Sequence, residues 1–145
     1  MAIQICGSLA FDTIMDFEGR FADQILPEQL HILNVSFLVP ALRREFGGCA
    51  GNIAYSLQQL GSTAWPVATV GVDGADYLAR LESLGISTAH VVTVPGLYTA
   101  QAMIMTDRAN NQITAFHPGA MSQAHLNALQ PNPEVTLGIV SPDGR

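Results

Sequence analysis

The stretch Gly47-Gly48-Cys49-Ala50-Gly51-Asn52 decides the fold, because it leads from an extended segment into the first clear helix of the chain. Ile53, Leu57 and Leu60 follow at i, i+4 and i+7, which is the spacing of one apolar helix face. Gly61 stands where such a helix usually ends. A turn from strand through glycine into helix is typical of α/β proteins, which bind ligands where strands end and helices begin.

The segments on either side of this turn alternate between strand and helix. Residues 3–7 and 67–72 are short apolar runs of the kind that form buried strands, and 137–140 begins another. Asp73 is placed to cap a second helix, which ends at Gly85. This βαβ alternation predicts an α/β fold with a Rossmann-like, mostly parallel sheet covered by helices.

Extra strands interrupt that alternation. Three segments alternate polar and apolar residues: 11–17, 35–46 and 99–116. They do not fit a plain doubly wound sheet, so we expect them to form a small antiparallel β lid, with lid strands within 11–46 and 97–118. We expect residues 1–145 to be the N-terminal part of one domain, truncated before a C-terminal half, because no helix follows the last strand to cover it.

The composition restricts the classes of function. The chain of 145 residues is 48% hydrophobic and only 12% charged, which excludes a disordered chain. Its net charge is −6, it has no lysine, and its arginines form no cluster larger than Arg43-Arg44, so we expect no nucleic-acid partner. No membrane span or secretory signal is evident, which favours a cytoplasmic protein. The two cysteines and four histidines lack ligand-like spacing, so we expect no metal site.

The residues around the glycine turn predict a site for hydroxyl groups. Gly47 and Gly48 let a ligand approach the backbone and tolerate positive φ. Asn52, on the first helical turn, offers an amide donor and a carbonyl acceptor, and Asp12 could accept hydrogen bonds from the same hydroxyls. We also expect free backbone N–H donors at the start of the helix. On spacing alone, a purely structural turn explains the glycines as well.

Four segments, in order along the chain, carry a resemblance to a known family. They are Gly7-Ser8-Leu9-Ala10-Phe11-Asp12, the glycine turn with its helix to Gly61, Val70-Gly71-Val72-Asp73 with Leu84-Gly85-Ile86, and Phe116-His117-Pro118-Gly119-Ala120. Together they resemble the N-terminal portion of the ribokinase-like (PfkB) carbohydrate kinases, in the adenosine kinase-like branch. The resemblance covers nearly the whole chain.

The resemblance implies an α/β core with a β-sheet lid, which agrees with the extra strands. It implies transfer of the γ-phosphoryl group of ATP, with Mg²⁺, to a hydroxymethyl group of a sugar or nucleoside. By position, Asp12, Gly47, Gly48 and Asn52 would hold the sugar hydroxyls, and Ser8 would lie nearby.

Gln101 has two open interpretations. On an inner strand of the lid it would face the base or ring of the substrate, but it would equally suit the solvent face of a lid strand.

The family's second signature, a Gly-Ala-Gly-Asp turn that supplies the catalytic aspartate, occurs nowhere in the sequence, so we expect no catalytic residue in this chain. Two functions stay open. The chain is the substrate-binding half of a kinase for adenosine, a related nucleoside or a free sugar, with adenosine favoured by the long, apolar lid entry at residues 12–46. Alternatively, it is a non-catalytic fragment that binds substrate or forms a homodimer through its lid strands. An NAD-dependent Rossmann enzyme is disfavoured, because no G-x-G-x-x-G follows the first strand.

Overall fold

A computed structural model describes residues 2–144, which fold into two four-stranded sheets and two α-helices. In chain order the elements are β1 (Ala2–Cys6), β2 (Ala10–Asp16), β3 (Ala41–Gly47), α1 (Cys49–Gln59), β4 (Thr63–Val70), α2 (Ala75–Ser83), β5 (Val91–Thr93), β6 (Ala100–Thr106), β7 (Gln112–His117) and β8 (Val135–Val140). Short 3₁₀ segments lie at Phe21–Asp23, Pro27–Ile32 and Gly119–Leu126.

The first sheet has the order β5-β4-β1-β8, and all its neighbouring strands are parallel. This confirms the predicted Rossmann-like α/β core. β4 begins at Thr63, earlier than predicted, and so includes Pro66. Residues 63–67 of β4 pair with β1, whereas β5 pairs only with residues 68–70, so the edge of β4 that faces β5 is unpaired at Pro66. On the same strand, the ring of Trp65 lies 5.5 Å from that of His90.

The second sheet, which we call the lid sheet, has the order β3-β2-β6-β7. Its two outer pairs are antiparallel, but the central pair, β2 with β6, is parallel. The sheet is therefore mixed rather than purely antiparallel as predicted, because β2 and β6 are joined through β3, both helices and two strands of the first sheet, and not by a hairpin. Pro40 directly precedes β3, which lies at the edge as its proline indicated.

Both helices end as predicted, at Gly61 and Gly85, which adopt φ values of 78° and 73°. The predicted start of α2 is wrong. Gly74 takes the N-cap position without a side-chain cap, and the Asp73 carboxylate instead accepts a hydrogen bond from the backbone N–H of Thr99 at 2.7 Å. A contact 26 residues away in sequence therefore replaces the local cap.

One apolar core joins the sheets to the helices. Its buried members come from β1, β2, the segment between them, α1, β4 and α2, and they include Ile5, Leu9, Phe11, Ala50, Ala54, Val70, Tyr77 and Leu81. The ring of Phe11, from the lid sheet, lies 5.6 Å from that of Tyr77 on α2. The core thus reaches under the start of the lid sheet and fixes the glycine turn between the two sheets.

Candidate functional site

The glycine turn is built around the backbone of Gly48. This residue is the N-cap of α1 and has a φ of 87°, a conformation that residues with a side chain rarely adopt. A Cβ at this position would lie 2.7 Å from the backbone nitrogen of Ala10 and 2.8 Å from the Cα of Leu9. Both the conformation and the close approach of the β1–β2 segment therefore require glycine.

Ser8 closes the start of α1. Its Oγ accepts a hydrogen bond from the Cys49 N–H at 3.1 Å, and its carbonyl accepts one from the Ala50 N–H at 3.0 Å. The expectation that these helix-start amides are free donors is wrong for Cys49 and Ala50, because a residue 41 positions earlier already uses them. Ser8 is buried, and its two hydrogen bonds to the start of α1 stabilise the turn.

Gly47 leaves room for the side chain of Asp12. A Cβ at residue 47 would collide with the Asp12 carboxylate, which lies over the glycine backbone. Partial burial raises the pKa of the Asp12 carboxyl, and no basic partner is recorded for it among the described residues. The structure thus brings Asp12, Gly47 and Gly48 together, as predicted, and leaves a carboxylate able to accept hydrogen bonds.

Tyr77 holds the glycine turn from below. Its hydroxyl donates a hydrogen bond to the carbonyl oxygen of Gly47, and burial, reinforced by the charge of Asp12, raises the pKa of the phenol. Gly51, the third glycine of the turn, has no room for a Cβ because the Tyr77 hydroxyl occupies that space. Helix α2 therefore fixes the backbone of Gly47, over which the Asp12 carboxylate lies.

A cavity of about 340 Å³ opens beside Asp12, where the end of the first sheet meets the lid sheet. Ser8, Asp12 and Gly48 line it together with Ala10, Cys49, Phe116, Met121, Pro142 and Asp143. Its walls are mainly apolar, and its two carboxylates come from opposite sides: Asp12 from β2 and Asp143 from the turn after β8. This is the candidate site.

Phe116, Met121, Pro142 and Asp143 also line the cavity, although the sequence did not single them out as site residues. Burial raises the pKa of the Asp143 carboxyl, and a hydrogen bond from the Gly144 N–H opposes that rise. Residues 141–144 contain Pro142 and Gly144, a composition that indicates only a turn. The rule that α/β proteins bind ligands beyond the carboxyl ends of their parallel strands would have singled out a carboxylate directly after β8.

Asn52 is not among the residues that line this cavity. It is exposed and lines a neighbouring cavity of about 230 Å³ between α1 and α2, with Phe46 and Arg80 among others. Ala50 and Ala54 occupy the buried face of α1. Asn52 lies two residues from each, a rotation of about 200° around the helix axis, and so points to the opposite side. The predicted role of Asn52 in holding hydroxyls therefore stays a prediction.

Gln101 lies on the opposite face of the lid sheet from Asp12. Its neighbour Ala102 is the residue paired with Asp12 across β2 and β6, and successive residues of a strand point to opposite faces. The Gln101 side chain instead donates a hydrogen bond from Nε2 to the Asp73 carboxylate at 3.3 Å. The structure does not bring Gln101 to the cavity. Neither of its two predicted positions, facing the substrate or facing solvent, included the contact with Asp73.

The chemistry of the cavity suits a neutral ligand rather than a phosphate. Its lining residues include two carboxylates and no arginine or lysine, so a phosphate group would meet like charge. The residues that line this cavity therefore do not fit the phosphates of ATP. Among residues 2–144 no group of three or more His, Cys, Asp or Glu side chains could hold a metal ion. No helix of that part of the chain is long and apolar enough to cross a membrane.

A cavity of this kind, between a parallel sheet and a lid sheet, is typical of α/β proteins that bind small molecules. The chain matches the pfkB family of carbohydrate kinases over residues 13–138, and it belongs to that family.

Its relatives include nucleoside kinases. One, from Methanothermobacter thermautotrophicus, is 34% identical over 116 residues, which is 79% of this chain and 34% of that protein. The structure of Burkholderia thailandensis nucleoside kinase in complex with inosine is similar at a TM-score of 0.83 and 55% identity over 98% of this chain and 45% of that one. The same kinase in complex with ADP-inosine gives a TM-score of 0.75 at 57% identity, with the same two coverages. The chain thus spans less than half the length of these relatives.

Proposed function

We propose that this chain is the substrate-binding half of a kinase that transfers a phosphoryl group from ATP to the hydroxymethyl group of a nucleoside, with adenosine or a related purine nucleoside as acceptor. The observation that carries the proposal is the position of Asp12. Its carboxylate lies over Gly47 at the mouth of a cavity whose other walls are mostly apolar. A nucleoside combines hydroxyls that need an acceptor with a base that needs an apolar wall.

Phe116 and Met121 suit the base in this arrangement. Phe116 comes from the lid sheet and Met121 from the 3₁₀ segment that follows β7, and both line the same cavity as Asp12. An aromatic ring and a thioether can pack on the face of a purine. Free sugars lack such a face, so the apolar wall favours a nucleoside over a sugar. The inosine complex of the Burkholderia thailandensis kinase supports the same class of ligand.

ATP and Mg²⁺ belong to the proposal only through the family. The Gly-Ala-Gly-Asp turn expected to supply the catalytic aspartate is absent from these 145 residues. We propose that the phosphate-binding and catalytic groups lie in a part of the protein outside this chain. Within the chain, the residues bind and orient the acceptor.

The first prediction concerns Asp12 in the complete protein. We expect Asp12→Asn to weaken adenosine and inosine binding by roughly tenfold to a hundredfold, because hydrogen bonds to a charged acceptor contribute about 1.5–3 kcal/mol. Calorimetric titration with adenosine, inosine and ribose measures this.

Asp16→Asn is the matched control. Asp16 lies on the same strand, four residues further on, with its side chain 60% exposed, so its loss should leave nucleoside affinity unchanged. If only ribose gives heat on titration, a nucleoside is excluded as the substrate. If the wild-type protein binds none of the three compounds, the proposed binding site is wrong. Asp12→Asn should melt no earlier than wild type, because its carboxylate is partly desolvated when folded.

A further inference from the structure

The carboxylate of Asp73 lies between the two sheets. The residue follows β4 of the first sheet, and its Oδ1 accepts a hydrogen bond from the Thr99 N–H at 2.7 Å. Its Oδ2 accepts one from Gln101 Nε2 at 3.3 Å and forms an ion pair with Arg44 Nη2 at 3.5 Å. All three partners belong to the lid sheet or to the residue just before β6. One side chain just beyond the end of β4 thus contacts both β3 and the start of β6.

Arg44 extends this contact to the strand between them. Its guanidinium carbon lies 3.5 Å from the centroid of the Phe11 ring on β2, a cation–π arrangement. Phe11 is buried and packs against Tyr77 of α2. Through Asp73, three neighbouring strands of the lid sheet are therefore tied to the end of β4.

The backbone around this tie is closely packed. The Gly71 N–H donates to Thr99 Oγ1 at 3.0 Å, and the Val72 N–H donates to the Leu97 carbonyl at 2.8 Å. Gly71 has no room for a Cβ, because the backbone of residues 97–99 passes directly over it. Asp73 is the charged member of this junction, and its side chain is 21% exposed.

We propose that Asp73 is a positioning residue, whose carboxylate sets the angle of the lid sheet so that Asp12 and Phe116 face Ser8 and Asp143 across the cavity. The alternation of side chains supports this. Phe11 and Gln101 project from the face tied to Asp73, whereas Asp12 projects from the opposite face of the same strands. If the contacts of Asp73 change the tilt of these strands, the Asp12 side chain on their opposite face moves as well. The effect on nucleoside affinity rests on the proposed function, but the geometry does not.

The test compares Asp73→Asn with Asp107→Asn. An asparagine at 73 keeps an oxygen for the Thr99 N–H, but its amide NH₂ would face the donors of Gln101 and Arg44. Asp107 likewise accepts backbone hydrogen bonds, from residues 21, 109 and 111, but it lies in the β6–β7 loop, away from the junction. It is therefore a matched control for loss of stability alone.

Two readouts are used. The first is the rate of alkylation of the Cys49 thiol, which lines the cavity, with the Cys6 thiol of the same molecule as the reference. We expect Asp73→Asn to raise the Cys49 rate relative to Cys6 several-fold, and Asp107→Asn to leave that ratio unchanged. The second is the dissociation constant for inosine, which should rise about tenfold or more in Asp73→Asn, the effect of losing one hydrogen bond to the Asp12 carboxylate.

Equal Cys49 rates in wild type and Asp73→Asn would overturn the proposal, as would losses of affinity in both variants that merely follow their melting temperatures. If wild type binds no nucleoside, the proposed function fails, and the alkylation ratio still decides the role of Asp73. If Asp73→Asn does not fold, Arg44→Gln replaces it. That change removes only the ion pair and the cation–π contact of a side chain that is 45% exposed, and it should raise the Cys49 ratio in the same direction.

Discussion

At the scale of single residues, Gly48 and Gly61 show two different reasons why a position requires glycine. Gly48 and Gly61 both have positive φ, at 87° and 78°. Only Gly48 lies against other backbone, whereas a Cβ at Gly61 would meet nothing within 4 Å. The two positions therefore share the conformational requirement and differ in space.

This difference gives a prediction with its control inside the chain. Gly61→Ala should lower the free energy of unfolding by about 1–2 kcal/mol, the cost of a left-handed backbone with a side chain. Gly48→Ala should lose about 1–3 kcal/mol more, because the added methyl group also overpacks the contact with Leu9 and Ala10. Urea denaturation of both variants measures the gap. Equal losses would mean that the turn relaxes freely around residue 48.

Single residues also show which site predictions the sequence could support. The need for glycine at residues 47 and 48 was predictable, because only a residue without a side chain allows such close approach. The predicted part of both glycines in holding hydroxyls stays a prediction. The outward direction of Asn52 was predictable in principle from the small apolar residues on either side of it, Ala50 and Ala54. The use of the helix-start amides by Ser8 was not, since the partners are 41 residues apart.

At the scale of secondary-structure elements, the β6–β7 connection depends on one carboxylate. Asp107 is buried and accepts hydrogen bonds from the N–H groups of Phe21, Ala109 and Asn111 and from the Asn111 side chain. Burial alone would raise the pKa of Asp107, but these bonds outweigh it and lower the pKa to about 2. The same carboxylate also ties the β2–β3 connection to the lid sheet, through Phe21.

The lowered pKa makes a prediction about acid. The folded pKa of Asp107 lies below its unfolded value of about 4, so its contribution to stability is complete above that value and is lost as pH falls towards about 2. Asp107→Asn should therefore be clearly less stable than wild type at pH 7, and the difference should shrink between about pH 4 and 2. Urea midpoints at several pH values measure this, and a difference that does not change with pH would contradict the assignment.

Elements were predicted more reliably than their pairing. The strands and helices follow from apolar periodicity, and Gly61 and Gly85 mark both helix ends. The parallel pairing of β2 with β6 does not follow, because it joins segments separated by β3, α1, β4, α2 and β5. For the same reason Asp73 was assigned a local cap, although it contacts Thr99 and Arg44 instead.

At the scale of the whole molecule, the lid sheet has two open edges, β3 and β7. Every residue of β7 is exposed, and unpaired strand edges are surfaces on which another chain can pair. The homodimer expected from the sequence stays a prediction. Sedimentation velocity over a range of concentrations should detect it, and Ile113→Lys on β7 should weaken it. Val72→Lys, at an exposed residue outside both edges, should not. A monomer at all concentrations would contradict the expectation.

The aromatic residues are divided unevenly between the two sheets. The single tryptophan, Trp65, lies on β4 beside His90. The strands of the lid sheet contain neither tryptophan nor tyrosine. Fluorescence excited at the tryptophan band therefore follows the melting of the parallel sheet alone, whereas far-ultraviolet circular dichroism follows both sheets. Whether the two signals coincide during denaturation will tell whether the halves of this molecule unfold in one cooperative transition or in two.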